Sequence, residues 1–138
     1  SVDEWITPER VAEVLPRTDW LVLCAPLTEQ TRGMIDARAL AALPEGACVL
    51  NVGRGALVDE PALIAALQSG HLGGAYLDVF MEEPLPTESP LWDLPNVILT
   101  PHDASTSRGN TARADAIFLE ELERWQRGEQ PQRLVTER

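Results

Sequence analysis

The sequence contains no lysine, and all eleven of its basic residues are arginines. A P-loop lysine, a Schiff-base lysine and a lysine general base are therefore excluded from its chemistry. The 22 acidic residues outnumber the arginines and give a formal net charge of −11. Because that charge repels phosphate backbones and anionic membrane surfaces, we expect neither a nucleic acid nor a membrane as a partner.

Cysteine is also scarce, and its pattern gives no sign of a metal site. Cys24 and Cys48 lie in apolar runs without the CxxC or Cys/His spacing of zinc ligands. We expect both thiols to be reduced and buried, and no metal ion to be bound. No apolar run approaches the roughly 18 residues of a membrane span, and no basic and then apolar leader opens the sequence. We therefore expect a cytoplasmic location.

The order of apolar and polar segments predicts an α/β fold. Helix-like and strand-like segments alternate at a spacing of roughly 25 residues, as in α/β units. The predicted strands are residues 20–24, 47–52, 74–79 and 96–100, and the predicted helices are residues 9–15, 36–43, 59–68 and 106–127. Continuous apolar runs are typical of parallel strands covered on both faces. We expect one domain with an open parallel sheet, right-handed crossovers, a proline-rich loop over residues 81–95 and an extended tail over residues 129–138.

Open parallel sheets bind ligands beyond the carboxyl ends of their strands, so the residues that follow each strand are candidate site residues. They are Ala25 and Pro26, Gly53 and Arg54, Asp78, and Pro101 and His102. Gly53-Arg54-Gly55 is not a dinucleotide-binding fingerprint, because Val58 stands where the third glycine is required. Arg54 could bind a carboxylate in a bidentate manner, or it could be a solvated surface residue.

The two histidines lie in different settings. His102 directly follows Pro101 at the end of a predicted strand, where it could donate or accept a proton at a substrate carbonyl. It could equally be a partly buried loop residue. His71 follows a predicted helix, where a cation favours the helix dipole, and we interpret it as structural.

Carboxylates after the third strand could support such a histidine. Glu82 and Glu83 precede Pro84, and a carboxylate that accepts the imidazole N–H would orient the ring. Asp78 closes an apolar run, and because an unpaired buried charge is costly, we expect it to have a partner. That partner could be a backbone amide or the amide of a ligand.

Three sequence blocks resemble a known enzyme family. NVGRGALVDEPALIAAL, GAYLDVFMEEPLP and SPLWDLPNVILTPH are similar to the signature blocks of the D-isomer-specific 2-hydroxyacid dehydrogenases, in the glyoxylate/hydroxypyruvate reductase branch. The similarity extends from the upstream APLTEQTRGMID to LERWQRGEQP. It implies a Rossmann-like, doubly wound parallel-sheet domain, an NAD or NADP cofactor, a small 2-oxo or 2-hydroxy acid substrate and a homodimer.

The resemblance also assigns roles to individual residues. It implies that Arg54, Glu83 and His102 are catalytic, with Glu83 favoured over Glu82 by its spacing from Arg54. Asp78 matches the residue that holds the nicotinamide carboxamide. The implied cofactor-binding residues are Pro26, Thr31, Val52, Gly53, Arg54, Asp78, His102, Ala104 and Ser105.

The sequence departs from the family pattern in two respects. Asp103-Ala104-Ser105 follows the histidine where the family usually has small or apolar residues, so Asp103 could alter the proton donor or the cofactor contacts. The dinucleotide fingerprint and most of the substrate domain should lie upstream of Ser1. We therefore expect residues 1–138 to be the C-terminal half of the cofactor domain, with residues 103–138 returning to the substrate domain. The alternatives are a non-catalytic nucleotide-sensing or interaction domain, and an inactive fragment.

We predict that the isolated chain has no measurable dehydrogenase activity and no tight NAD(P) binding. It lacks the glycine-rich turn that holds a pyrophosphate, and the strand over residues 20–24 would be an exposed edge with unpaired N–H and C=O groups. We expect a partner chain, self-association or a retained first half to cover this edge. Calorimetric titration with NADH and NADPH, combined with light scattering, tests both parts. Micromolar cofactor affinity in a clean monomer of this length would contradict them.

Overall fold

The structure is a computed structural model that describes residues 2–133. The chain divides after Ala104 into two compact units, which are described separately below. Residues 134–138 of the predicted extended tail lie outside the described residues.

The first unit is built on a four-stranded parallel sheet, as predicted. Its strands are β1 (Trp20–Leu23), β2 (Cys48–Asn51), β3 (Gly74–Leu77) and β4 (Val97–Leu99), in the spatial order β1-β2-β3-β4. All three neighbouring pairs are parallel. β1 therefore lies at one edge of the sheet within this unit, and β4 lies at the other.

One short helix precedes β1, and two more connect β1 to β2 and β2 to β3. They are α1 (Val11–Val14), flanked by 3₁₀ turns at Pro8–Arg10 and Leu15–Arg17, α2 (Ala37–Ala42) and α3 (Glu60–Gln68). Asp36 starts α2 by accepting hydrogen bonds from the N–H groups of Arg38 and Ala39, and Asp59 starts α3 by accepting one from Ala62. Such side-chain caps satisfy helix N–H groups that otherwise have no partner. The proline-rich loop contains a further 3₁₀ turn, Pro90–Asp93.

One face of the sheet carries the hydrophobic core. Val49 and Leu77 point from the strands into a fully buried cluster that also contains Leu40 of α2 and Leu63 and Leu67 of α3. The strand order advances in one direction, and right-handed crossovers in such a sheet all lie on the same face. The connecting helices therefore cover a single face.

The prediction that the strands are covered on both faces is wrong for the opposite face. Trp20, Val22 and Ile98 are 67%, 56% and 63% exposed there. The expected burial of both thiols is wrong for the same reason: Cys48 is half-buried on this face, and Cys24 lies exposed just beyond β1. Both cysteines are free.

The second unit contains a single helix among its described residues, α4 (Asn110–Gln126). It begins later than predicted because Gly109 adopts a left-handed conformation, with φ 81°, directly before it. Ile117, Phe118 and Trp125 are exposed on this helix. Among the described residues, none of the helices combines the length and apolar character needed to cross a membrane.

Candidate functional site

The carboxyl ends of β2, β3 and β4 bring the candidate side chains to one edge of the sheet. Arg54 follows β2, Asp78 follows β3 directly, and His102 follows β4. Glu83 lies in the loop after β3, and its carboxylate contacts the His102 imidazole. Parallel strands place all these connections at the same end, so four residues that are distant in sequence form one cluster.

The turn that presents Arg54 is fixed by a buried asparagine. Asn51, the last residue of β2, accepts a hydrogen bond from the Gly53 N–H and donates one to the Arg54 carbonyl, at 3.1 and 2.9 Å. Arg54 Nη1 donates to the Gly53 carbonyl at 2.7 Å, and the side chain is otherwise exposed. Sequence reasoning missed Asn51; a lone polar residue at the end of an apolar run was the available signal.

The glycines beside Arg54 permit close backbone packing. A Cβ atom on Gly53 would lie 2.9 Å from the Ala25 carbonyl oxygen, and one on Gly55 would lie 1.9 Å from the Phe80 carbonyl oxygen. Only glycine allows the second approach, because no L side chain fits at that distance. The connection that carries Arg54 therefore rests directly on the loop that carries Glu83.

Asp78 holds the segment that follows β4. Its carboxylate accepts hydrogen bonds from the Thr100 hydroxyl at 2.5 Å, the Asp103 N–H at 3.0 Å and the Ala104 N–H at 2.9 Å. Asp78 is 1% exposed. Burial by itself raises the pKa of this carboxyl, but the hydrogen bonds from Thr100, Ala104 and Asp103 and the charge of His102 together lower it. Of the two partners considered from sequence, the structure supplies the backbone amide.

This anchoring fixes an unusual backbone conformation at His102. The residue has φ 54°, a left-handed conformation that non-glycine residues seldom adopt. The two N–H groups bound to Asp78 belong to the next two residues, so they hold the chain in this turn. The hydrogen bond from Asp103 comes from its backbone, and its side chain is exposed.

Glu83 binds the imidazole of His102. Glu83 Oε2 lies 2.7 Å from His102 Nδ1, and Oε1 accepts a hydrogen bond from the Phe80 N–H at 3.0 Å. Burial raises the pKa of Glu83, but the hydrogen bonds from His102 and Phe80 and the charges of His102 and Arg54 outweigh it, so the pKa is lowered. Glu82 makes no hydrogen bond to any described residue, so the structure pairs His102 with Glu83.

Two cavities open at this edge of the first unit. One, of about 350 Å³, lies beside the His102–Glu83 pair and has mainly apolar walls that include Phe80, Trp92 and Leu99. The other, of about 430 Å³, contains several predicted cofactor-binding residues; it is lined by Cys24, Ala25, Pro26, Leu27, Val52, Gly53 and Arg54.

The remaining candidates lie as follows. Thr31 donates from its hydroxyl to the carbonyl of Pro26, a residue that lines the second cavity, at 2.8 Å. Ala104 donates its backbone N–H to Asp78, whereas Ser105 belongs to the second unit.

His71 donates from Nε2 to the Leu40 carbonyl at 3.1 Å and takes no part in the cluster. No group of three or more potential metal ligands occurs within residues 2–133.

Comparison with known proteins identifies similar folds and sequences. Residues 2–104 match the family model described as "D-isomer specific 2-hydroxyacid dehydrogenase, NAD binding domain". The glyoxylate/hydroxypyruvate reductase A of Salmonella typhimurium is 49% identical over 108 residues, which are 78% of this chain and 35% of that protein. The matched region thus spans about a third of the length of these curated relatives.

Solved structures show the same similarity. A D-isomer specific 2-hydroxyacid dehydrogenase from Xanthobacter autotrophicus Py2, in complex with NADPH and MES, aligns with a TM-score of 0.84 and 46% identity over 93% of this chain and 52% of that chain. An NADPH-dependent glyoxylate/hydroxypyruvate reductase from Sinorhizobium meliloti, in complex with NADP and sulfate, aligns with a TM-score of 0.84 and 37% identity over 92% of this chain and 41% of that chain.

We predict that Asp78→Ala lowers the free energy of unfolding by about 2 to 3 kcal/mol, because it leaves a hydroxyl and two backbone N–H groups without their acceptor. Urea unfolding followed by circular dichroism measures the loss. Asp103→Ala is the matched control, since it keeps the backbone N–H that Asp78 binds. Equal losses in the two variants would contradict the assigned role of Asp78.

The lowered pKa values of Asp78 and Glu83 predict a loss of stability in acid. Their ordinary values are 3.8 and 4.5, and in the folded state each carboxylate stays ionised to lower pH than in the unfolded chain. At acidic pH the unfolded chain therefore binds more protons than the folded chain. The stabilisation that comes from the two ionised carboxylates is complete above their ordinary pKa values, and it is lost as the pH falls through their lowered pKa values.

We therefore expect the free energy of unfolding to fall as the pH drops below about 5, and to fall less steeply in Glu83→Gln, which has no titrating carboxyl at position 83. Urea titrations at a series of pH values measure both slopes. Glu82→Gln is the matched control, because the same substitution there removes no hydrogen bond between described residues. The same slope in Glu83→Gln and wild type would refute the assignment.

Proposed function

The chain belongs to the D-isomer specific 2-hydroxyacid dehydrogenase family. From this we propose that it carries the catalytic residues of an NAD(P)-dependent dehydrogenase. The proposed reaction interconverts a small 2-oxo acid, of the glyoxylate or hydroxypyruvate type, and its D-2-hydroxy acid. The observation that carries the proposal is the His102–Glu83 pair, 2.7 Å apart at the sheet edge that also presents Arg54.

Arg54 is the proposed binding group for the substrate carboxylate. One of its guanidinium nitrogens is anchored on the Gly53 carbonyl, and the remaining N–H donors face solvent. A guanidinium binds a carboxylate through two parallel hydrogen bonds, and its charge also polarises an adjacent carbonyl. The exposed Arg54 therefore suits a 2-oxo acid, in which the carboxylate and the carbonyl are neighbours.

His102 is the proposed proton donor. Glu83 occupies the side of Nδ1, so Nε2 is the nitrogen that can reach a substrate. During reduction, the proton on Nε2 moves to the carbonyl oxygen, which becomes the hydroxyl of the product. Glu83 stays ionised because of its lowered pKa, so it aligns the ring and stabilises the imidazolium that must form before the proton is given.

The residues at the edge fit a nicotinamide dinucleotide, which supplies the hydride when bound. Asn51 closes the tight turn at Gly53, which lines the cavity of about 430 Å³. Because glycine has no side chain, this position leaves the cavity open. Asp78 Oδ2 accepts a single hydrogen bond among the described residues, and a carboxylate oxygen can accept two, so it could also bind a carboxamide N–H. We propose Pro26, Thr31, Val52, Gly53, Asp78, Ala104 and Ser105 as cofactor-binding residues.

The His102–Glu83 pair also favours an enzyme over a non-catalytic nucleotide-sensing domain. A sensing domain needs the cavity at Gly53 and Arg54, but it has no use for an ionised carboxylate aligned on an imidazole. By the family resemblance, we further propose that the complete protein is a cytoplasmic homodimer.

We predict that His102→Ala in the natural dehydrogenase carrying these residues lowers kcat for glyoxylate or hydroxypyruvate by about 10²- to 10⁴-fold, the usual contribution of a general acid. Cofactor binding should stay nearly intact, because the imidazole acts on the substrate oxygen. Steady-state kinetics and fluorescence titration with NADPH and NADH measure the two quantities. His71→Ala is the control, and weakened cofactor binding with unchanged turnover would contradict the role.

A further inference from the structure

Glu60 makes a long-range contact that the proposed reaction does not use directly. It is the first residue of α3 and is half-buried. Its Oε2 accepts a hydrogen bond from the backbone N–H of Met81 at 3.0 Å, across 21 positions of sequence. The contact joins the β2–α3 connection, which carries Arg54, to the loop after β3, which carries Glu83.

The neighbouring N–H groups of this loop are bound by two different carboxylates. Met81 donates to Glu60, and Phe80 donates to Glu83, whose other oxygen binds His102. Phe80 therefore lies between two peptide groups: the preceding one donates the Phe80 N–H to Glu83, and the following one donates the Met81 N–H to Glu60. Because both peptide groups meet at the Phe80 Cα atom, release of the Met81 N–H would free Phe80 to rotate and would move its own N–H away from Glu83.

The close packing at Gly55 complements this hydrogen bond. Gly55 sets how near the two segments lie, because its backbone touches the Phe80 carbonyl. Close packing alone does not direct an N–H group, whereas a hydrogen bond does, since it weakens steeply away from a linear geometry. Glu60 thus fixes the direction of the Met81 N–H, which the contact at Gly55 leaves undetermined.

An acidic residue in the first turn of a helix also interacts favourably with the helix dipole, so this role must be separated from the contact with Met81. The dipole interaction requires the charge and not the reach of the side chain. The N-terminus of α3 is already capped by Asp59, which accepts from the Ala62 N–H at 3.1 Å. The contact with Met81 requires the reach and an acceptor oxygen, but no charge.

We propose that Glu60 is a positioning residue, which holds Glu83 at a fixed position relative to Arg54 through its hydrogen bond to the Met81 N–H. The inference rests on the proposed function in one respect, namely that His102 and Glu83 form the proton-donating pair. Two variants separate the roles. Glu60→Asp keeps the charge but is one methylene shorter, and Glu60→Gln keeps the reach and an acceptor oxygen but has no charge.

The first measurement is the titration of the Glu83 carboxyl carbon by NMR in the 138-residue chain. In Glu60→Asp, we expect the pKa of Glu83 to rise toward its ordinary value, because the Phe80 N–H no longer holds the Glu83 carboxylate against the His102 ring. In Glu60→Gln, the pKa should stay lowered. The attractive charges on Glu83, those of His102 and Arg54, are present in both variants.

The exchange rate of the Met81 amide proton provides a readout of the hydrogen bond itself. It should increase in Glu60→Asp and stay near the wild-type rate in Glu60→Gln. Glu82→Asp and Glu82→Gln are matched controls in the same loop, and both should leave the Glu83 titration and the Met81 exchange unchanged. If Glu60→Asp does not fold, Glu60→Ala replaces it in every measurement.

The second measurement is turnover in the natural dehydrogenase that carries these residues. We expect Glu60→Asp to lower kcat by about 10- to 100-fold, the usual effect of a misplaced catalytic group, with little change in the Kd of the cofactor. Glu60→Gln should recover most of the loss. Without any wild-type turnover, the proposed function fails, while the titration still tests the positioning role.

Two results would overturn the inference. If Glu60→Asp keeps the Glu83 pKa and the Met81 amide exchange rate of the wild type, the length of the Glu60 side chain is unimportant. A Glu60→Gln variant that behaves like Glu60→Asp would show that the charge matters in place of the hydrogen bond, as expected of a helix-dipole interaction.

Discussion

The site depends above all on the buried carboxylate of Asp78. It sits where β3 ends and binds the Thr100 hydroxyl and the backbone N–H groups of Asp103 and Ala104. These bonds hold the segment after β4 in a turn that places His102 at φ 54°. Removing the carboxylate would leave those donors unsatisfied, so the turn and the direction of the imidazole rest on one side chain. Pairing of His102 with Glu83 follows from that direction.

A second constraint assembles the other side of the site from backbone. Gly55 lets the β2–α3 connection touch the Phe80 carbonyl, and Asn51 closes the turn that carries Arg54. The cationic and acidic parts of the site therefore sit on neighbouring connections that are packed against each other. This close packing matters for the proposed reaction, because a proton donor and a substrate-binding group act together only at a defined separation.

The covered and open faces of the sheet have a single topological cause. The strands advance in one direction with right-handed crossovers, so α2 and α3 bury the face that includes Val49 and Leu77. Trp20, Val22 and Ile98 on the other face stay exposed within the described residues. Apolar runs in sequence indicate which residues can be buried, but the side on which the connections pass decides which of them are.

The choice of Glu83 over Glu82 rested on the family resemblance, whereas local signals in the sequence were sufficient for the order of elements, the parallel sheet and the positions of Arg54, Asp78 and His102 after strands, because apolar runs, caps and turn residues act over short distances. They did not separate a backbone partner from a ligand partner for Asp78, they placed both thiols in the core, and they missed Asn51 and Glu60. Those outcomes depend on contacts between segments that are far apart in the chain, such as Glu60 with Met81. Only the packing of the crossovers on one face of the sheet brings such segments together.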